Sequence, residues 1–170
     1  MERSAQFGFL TLLFGMTAFY ACSSAACSVE RINSPDELVH KADAIYLVQA
    51  KEYIANPSKG SHGHLDSRMI RFVVLETLKG DGLRDLQAAG SFSDEDDPND
   101  GPVPYKFVRP EGRRGNCYAA TYRLDSAYLF FVRGGTPYWS PLAPVNEQVS
   151  LKGDDWVTWV KRQLSDGHDP

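Results

Sequence analysis

The sequence has few cysteines and little excess charge, and it lacks the short motifs by which common enzymes are recognised. It contains three cysteines in 170 residues, too few for a framework of several disulfides. Lysines and arginines number 18 against 22 aspartates and glutamates, which gives a net charge of −4, whereas a nucleic-acid-binding domain typically has a basic excess. No Gly-x-Ser-x-Gly nucleophile motif or Gly-rich phosphate loop is present. We therefore expect neither a nucleic-acid partner nor a cofactor.

Long hydrophobic runs are also lacking. The longest, Phe7–Ala21, has about 15 residues and contains two glycines, so it is too short to cross a bilayer comfortably. The small side chains of Ser24–Ala26 follow it and suit a signal peptidase. This pattern predicts a signal peptide over residues 1–26, a mature chain that begins at Cys27, and a secreted or periplasmic location.

A lipoprotein signal is the alternative interpretation of the same segment. Acylation of Cys22 would tether the chain to a membrane, and this is the only membrane association that we expect. Phe19 and Tyr20 are bulky where a lipobox has an aliphatic and then a small residue, so this alternative ranks second. An uncleaved anchor ranks third.

Cys27 and Cys117 are the two cysteines that remain after cleavage. In an oxidising compartment two such cysteines most simply form a disulfide. The bond would close a loop of about 90 residues and contribute roughly 4 kcal/mol in the chain-entropy model. The alternative, a reactive thiol, lacks the neighbouring His or Cys that would lower its pKa.

The mature chain, 27–170, has the pattern of one mainly β domain with a helix near each end. Ser34 can cap a short helix that starts at Pro35, with Glu37 completing a capping box. A C-terminal helix starts at Asp154 or Asp155 and ends at Gly167. Strands are predicted between them at 44–54, 68–78, 86–92, 118–123 with 127–133, and 138–142. This number of strands predicts a small five-stranded antiparallel barrel.

One long segment, 93–116, interrupts this pattern. It is rich in Pro, Gly and Asp and has little apolar periodicity. Loops of this length inside a domain are uncommon, and we expect this one to be functional or mobile.

Three short stretches of the chain resemble the netrin-like family, which includes the tissue inhibitors of metalloproteinases. They are Cys27-Ser28, the strand entry at 42–48, and Gly115-Asn116-Cys117 followed by Tyr128–Val132. The resemblance implies a five-stranded barrel of the oligonucleotide/oligosaccharide-binding (OB) type with packed helices.

In those inhibitors the first cysteine chelates the zinc ion of the target protease. The resemblance therefore implies an inhibitor-like N-terminus, with Cys27 and Ser28 as its binding residues. The family has a second cysteine two residues later, where this chain has Val29. Only one disulfide would then fasten the N-terminal segment.

The best metal-binding pattern is His62-Gly63-His64-Leu65-Asp66. Two imidazoles and a carboxylate at alternate positions could share one metal ion, as in some zinc hydrolases. The surrounding Gly and Ser residues favour an exposed loop that binds metal only loosely, because a rigid site needs supporting partners.

Charged and aromatic residues form three further groups. The acidic run 94–101 could collect a calcium ion, but a solvated loop is the simpler interpretation, since Pro98 occupies a ligand position. Arg109, Arg113 and Arg114 could pair with this run as exposed ion pairs. The third group is aromatic and could mark a binding face: Tyr138, Trp139, Trp156 and Trp159. Within it, Trp156 has the spacing of a core residue.

The sequence thus favours an exported, non-enzymatic binding module whose partner is another exported protein or an envelope component, and the resemblance adds an inhibitor-like role. The alternative function is a metal-dependent hydrolase that uses His62, His64 and Asp66.

Overall fold

The computed structural model describes residues 31–54, 68–136 and 140–167, which form a mainly β fold with a helix near each end. The elements in chain order are α1 (Pro35–Lys41), β1 (Ala44–Ile54), β2 (Met69–Lys79), β3 (Asp85–Ala89), β4 (Ser91–Ser93), β5 (Thr121–Arg123), β6 (Ala127–Val132), β7 (Asn146–Val149) and α2 (Asp155–Asp166).

Five of the seven described strands form one antiparallel sheet in the order β3-β2-β1-β6-β7. The other two, β4 and β5, pair in parallel. A five-stranded antiparallel sheet with terminal helices is therefore confirmed, whereas the described strands do not close into a barrel. β1 lies at the centre of the sheet, and burial on both of its faces explains its run of consecutive apolar residues.

The two helices cover one face of the sheet. α1 begins with the predicted capping box: the Ser34 hydroxyl accepts from the Glu37 amide, and the Glu37 carboxylate accepts from the Ser34 amide. The carboxylate of Asp154 caps α2 by accepting from the first amides of that helix. Trp156 and Val160 of α2 pack with Leu38 of α1 in the core on this face.

The other face of the sheet carries an aromatic cluster. Phe72 of β2 contacts Tyr122 of β5 and Phe130 of β6, each with 4.9 Å between ring centroids. Tyr122 and Tyr128 also contact edge to face, with their centroids 5.1 Å apart. This cluster attaches β5, and the long segment before it, to the sheet.

Two predicted strands were wrong. The strand predicted at 138–142 is not found in its described part, because Ser140–Leu142 is not extended. The last strand is instead Asn146–Val149, where buried Asn146 and Glu147 hide the apolar pattern expected of a strand. The strand predicted at 86–92 is two strands, because the chain passes from the main sheet to the parallel pair at Gly90.

Gly90 is required at this crossing because the backbone just before β5 and an aromatic ring approach it closely. A Cβ atom there would lie 2.4 Å from the Ala120 carbonyl oxygen and 2.6 Å from the Tyr122 ring. We expect Gly90→Ala to lower the free energy of unfolding by at least about 1–3 kcal/mol, the usual cost of overpacking. Urea unfolding tests this, with Gly82→Ala as the control, since a Cβ at Gly82 meets no atom within 4 Å. Equal stability of the two variants would contradict the expected clash.

Candidate functional site

The long segment between β4 and β5 folds around one buried arginine, Arg109. Its side chain is 0% exposed although it carries a charge. Nη1 donates to Asp97 Oδ2 at 2.9 Å, and Nη2 donates to the carbonyls of Thr121 at 2.7 Å and Ala119 at 3.3 Å. Nε donates to the carbonyl of Asn146 at 3.1 Å. One guanidinium thus connects the acidic run, the entry to β5, and β7.

Two tyrosine rings of the aromatic cluster adjoin the same guanidinium. Its carbon lies 5.2 Å from the centroid of Tyr122 and 5.3 Å from that of Tyr128. Cation–π attraction of this kind contributes on the order of 1–2 kcal/mol in a desolvated place. The charge of Arg109 is therefore stabilised by carbonyls, by one carboxylate and by two aromatic rings.

Glu147 of β7 is the second buried charged residue of this region, also 0% exposed. Its Oε1 accepts from the backbone amide of Arg109 at 3.0 Å, and its Oε2 accepts from Asn99 Nδ2 at 2.8 Å. Burial raises the pKa of Glu147 to about 7, although the bond from Asn99 and the nearby Arg109 charge act in the opposite direction. Glu147 fastens two points of the long segment to the sheet.

A neighbouring buried amide, Asn146, completes this polar core. Its Nδ2 donates to the Ala119 carbonyl at 2.5 Å and to the Tyr122 hydroxyl at 2.9 Å. Burial raises the pKa of Tyr122, so its hydroxyl stays neutral. The segment 94–120 is therefore fixed to β5 and β7 by buried polar groups, and Val103, Tyr105 and Val108 add apolar contacts.

The outcome of this packing is an open pocket of 210 Å³ beside Arg109. Carboxylates from Glu95, Asp96, Asp97 and Glu111 line it, together with the guanidinium groups of Arg109, Arg114 and Arg123. The remaining lining residues are polar and come from β4, β5, β6 and β7. The pocket can hold a small polar group, and charges of both signs face that group.

Most carboxylates of the acidic run are already paired with arginines. Asp97 pairs with Arg109, Asp100 with Arg113, and Asp96 with Arg123. These carboxylates bind three different guanidinium groups and do not converge on one point, so the arrangement does not favour a calcium site. In the described ranges no group of three or more His, Cys, Asp or Glu side chains could hold a metal ion.

The arginine pairing was predicted correctly for Arg109 and Arg113, but its character was wrong for Arg109. An exposed pair was expected, whereas the Arg109 side chain is fully buried and its partner Asp97 is 19% exposed. The solvated acidic loop predicted for 94–101 is confirmed: six of its eight residues are exposed, and they lie in no helix or strand.

Several predicted site residues lie outside the described residues. These are Cys22, Cys27, Ser28, His62, His64, Asp66, Tyr138 and Trp139. Cys117 is described: it follows a wide helical turn, Gly112–Asn116, and has a left-handed backbone with φ of 64°. Its carbonyl accepts from the Leu142 amide at 2.9 Å. The Cys27–Cys117 disulfide stays a prediction.

Trp156 of α2 is a core residue, as its spacing indicated, and Trp159 is partly buried against the core. Trp156 is fully buried, and its ring is stacked on Trp159 with 5.1 Å between centroids. Their role is to attach α2 to the sheet.

Comparisons with protein-family models, with curated proteins and with solved structures found no match. Neither helix in the described part of the chain combines the length and apolar character needed to cross a bilayer. A function is therefore inferred from the pocket and from the sequence.

Proposed function

We propose that the chain is an exported, non-enzymatic binding module, and that the pocket beside Arg109 is its binding site. The observation that carries this proposal is the fixed arrangement of the pocket wall. Four side-chain hydrogen bonds of Arg109 and two of Glu147 hold the wall in place before any ligand arrives. Such preorganisation lowers the entropic cost of binding.

Several titratable groups of this region, including Glu147, Asp96 and Asp97, are engaged in holding the fold, which favours binding over catalysis. Glu147 has a pKa near neutrality, as a general acid or base requires, but its side chain is fully buried and does not line the pocket. Asp96 and Asp97 line the pocket, but both are ion-paired. Glu95 also lines the pocket and is unpaired, but it is exposed, and no described hydrogen bond orients its carboxylate as a base.

The same proposal includes an OB-like barrel with a netrin-like N-terminus. The barrel is supported by a parallel bridge between Pro98 and Gln148, and by the Asp97 amide, which donates to the Gln148 side chain at 2.7 Å. These contacts bring the segment after β4 against β7, as closure of a barrel would require. In this proposal a disulfide between Cys27 and Cys117 fastens the mature N-terminus beside the start of β5.

A photo-cross-linker on the pocket rim tests the binding site directly. Benzoylphenylalanine would replace Asp94, which is exposed next to the lining residue Glu95, in the full-length chain in its native cells. We expect light-dependent adducts, detected as a gain of mass after purification. The matched control replaces Arg162, an exposed residue of α2. Absence of adducts at position 94, or equal adducts at both positions, would contradict the proposal.

Mass spectrometry of the exported protein tests the N-terminal part of the proposal. We expect a mature chain that starts at Cys27 and is about 2 Da lighter before reduction than after it, as one disulfide requires. Acylation at Cys22, or a mature start beyond Cys27, would remove the inhibitor-like N-terminus while leaving the pocket untouched.

A further inference from the structure

We infer that the group bound by this pocket is a zwitterion of the α-amino acid class, either free or carried by a larger envelope component. This inference rests on the proposed function and specifies its ligand. It follows from the charges that the pocket leaves unpaired, from those it has neutralised, and from its size.

Two charged side chains of the pocket lining have no partner among residues 31–54, 68–136 and 140–167. Arg114 and Glu95 line the pocket and are both exposed, and neither side chain makes a hydrogen bond or ion pair there. The two central arginines, Arg109 and Arg123, are by contrast paired with Asp97 and Asp96. Among the lining residues that the structure describes, the pocket therefore offers one unpaired cation and one unpaired anion.

A ligand of a single charge satisfies only half of this arrangement. An anion would gain Arg114 but would face the carboxylates of Glu95 and Glu111, and a cation would gain Glu95 but face Arg114. A neutral ligand would partly desolvate both charges without compensation. A zwitterion places its carboxylate at Arg114 and its ammonium group at Glu95, so that each charge is paired.

The size and polarity of the pocket also fit a small polar molecule. A volume of 210 Å³ equals that of about seven water molecules. The side chains of Thr121 and Gln148 in the lining add neutral hydrogen-bonding groups. No aliphatic side chain is among the described lining residues, so a large apolar ligand would find few apolar contacts here.

An NMR titration of the isotopically labelled mature protein with the twenty common L-amino acids, first pooled and then single, tests the inference. We expect at least one amino acid to shift the amides of residues 93–97, 109, 111–114 and 121–123. Its decarboxylated and deaminated analogues should each bind at least about tenfold more weakly, the factor that 1.4 kcal/mol represents. No shift with any amino acid, or equal binding of the analogues, would overturn the inference.

Charge substitutions identify the two contacts. We expect Arg114→Glu and Glu95→Arg each to weaken binding of that amino acid at least about tenfold, and the double exchange to recover part of the loss. Arg84→Glu is the control, because Arg84 is exposed and outside the pocket lining. All three substituted positions are exposed, so thermal unfolding should be unaltered. Unchanged affinity in both single variants would refute these contacts.

The two proposals fail separately. If no amino acid binds but the cross-linker at position 94 still gives specific adducts, the zwitterion is wrong and the binding site stands. The mass of the adduct distinguishes a free amino acid from a larger component.

Discussion

Replacing Arg109 with methionine should lower the free energy of unfolding by about 3–5 kcal/mol, the usual effect of removing one partner of a buried ion pair. Methionine fills similar volume but donates no hydrogen bond, so the carbonyls of Thr121 and Asn146 and the carboxylate of Asp97 lose their donor. That loss is a large part of the stability of a typical domain. Urea unfolding followed by circular dichroism measures it.

Arg113→Met is the matched control. Arg113 also pairs with an aspartate of the acidic run, Asp100, but these two side chains are 37% and 62% exposed. Exposed pairs contribute about 0–1 kcal/mol, so this variant should unfold almost like the natural protein. If Arg109→Met were no less stable than Arg113→Met, the long segment would not depend on Arg109.

The second large effect is a loss of stability as the pH rises from about 4.5 to 7. Burial raises the pKa of Glu147 from 4.5 to about 7 in the folded protein, and the groups that face it are Arg109, Asp97 and Asn99, with Tyr105 nearby. Between these values the folded chain holds a proton that the unfolded chain has lost. Stability therefore falls with pH in this window, by about 3 kcal/mol, and levels off above pH 7.

Glu147→Gln isolates this contribution, because glutamine does not titrate. The midpoint of urea unfolding, measured at half-unit steps from pH 4.5 to 8, should fall with pH in the natural protein relative to the variant. A constant difference between the two proteins over that range would show that Glu147 does not take up a proton on folding.

Titration of Glu37 does not interfere with this measurement, because Glu37 changes the free energy of unfolding in a different pH window and in the opposite direction. The capping hydrogen bond from Ser34, then Lys41, lowers the pKa of Glu37 to about 2. Its contribution to stability is present above pH 4.5 and is lost as the pH falls towards 2. Among the described groups, Glu147 is the one whose pKa is moved into the window from 4.5 to 7.

The elements with a local signal were predictable from the sequence. Ser34 and Glu37 at capping-box spacing determine the start of α1 through bonds within four residues. The apolar run of β1 indicated a central strand. Trp156 and Val160, four residues apart, indicated the buried face of α2.

The site was not predictable, because its residues meet only in the folded chain. Arg109 contacts Asp97 and Thr121, each twelve residues away, and Asn146, 37 residues away, in a segment without periodicity. Glu147 was missed because a buried carboxylate inside a strand looks like a solvent-facing residue. The apolar residues Val145 and Val149, four residues apart and on one face of an extended chain, were the available local signal of β7.

The proposed binding site depends on the segment 94–120 being a fixed wall of the domain, and native-state amide hydrogen exchange tests this most directly. The amides of Arg109, which donates to Glu147, and of Ala120, which donates to Glu111, should exchange as slowly as those of β1 and β6. Exchange of these amides at the rate of an unstructured peptide, while β1 and β6 remain protected, would contradict the account.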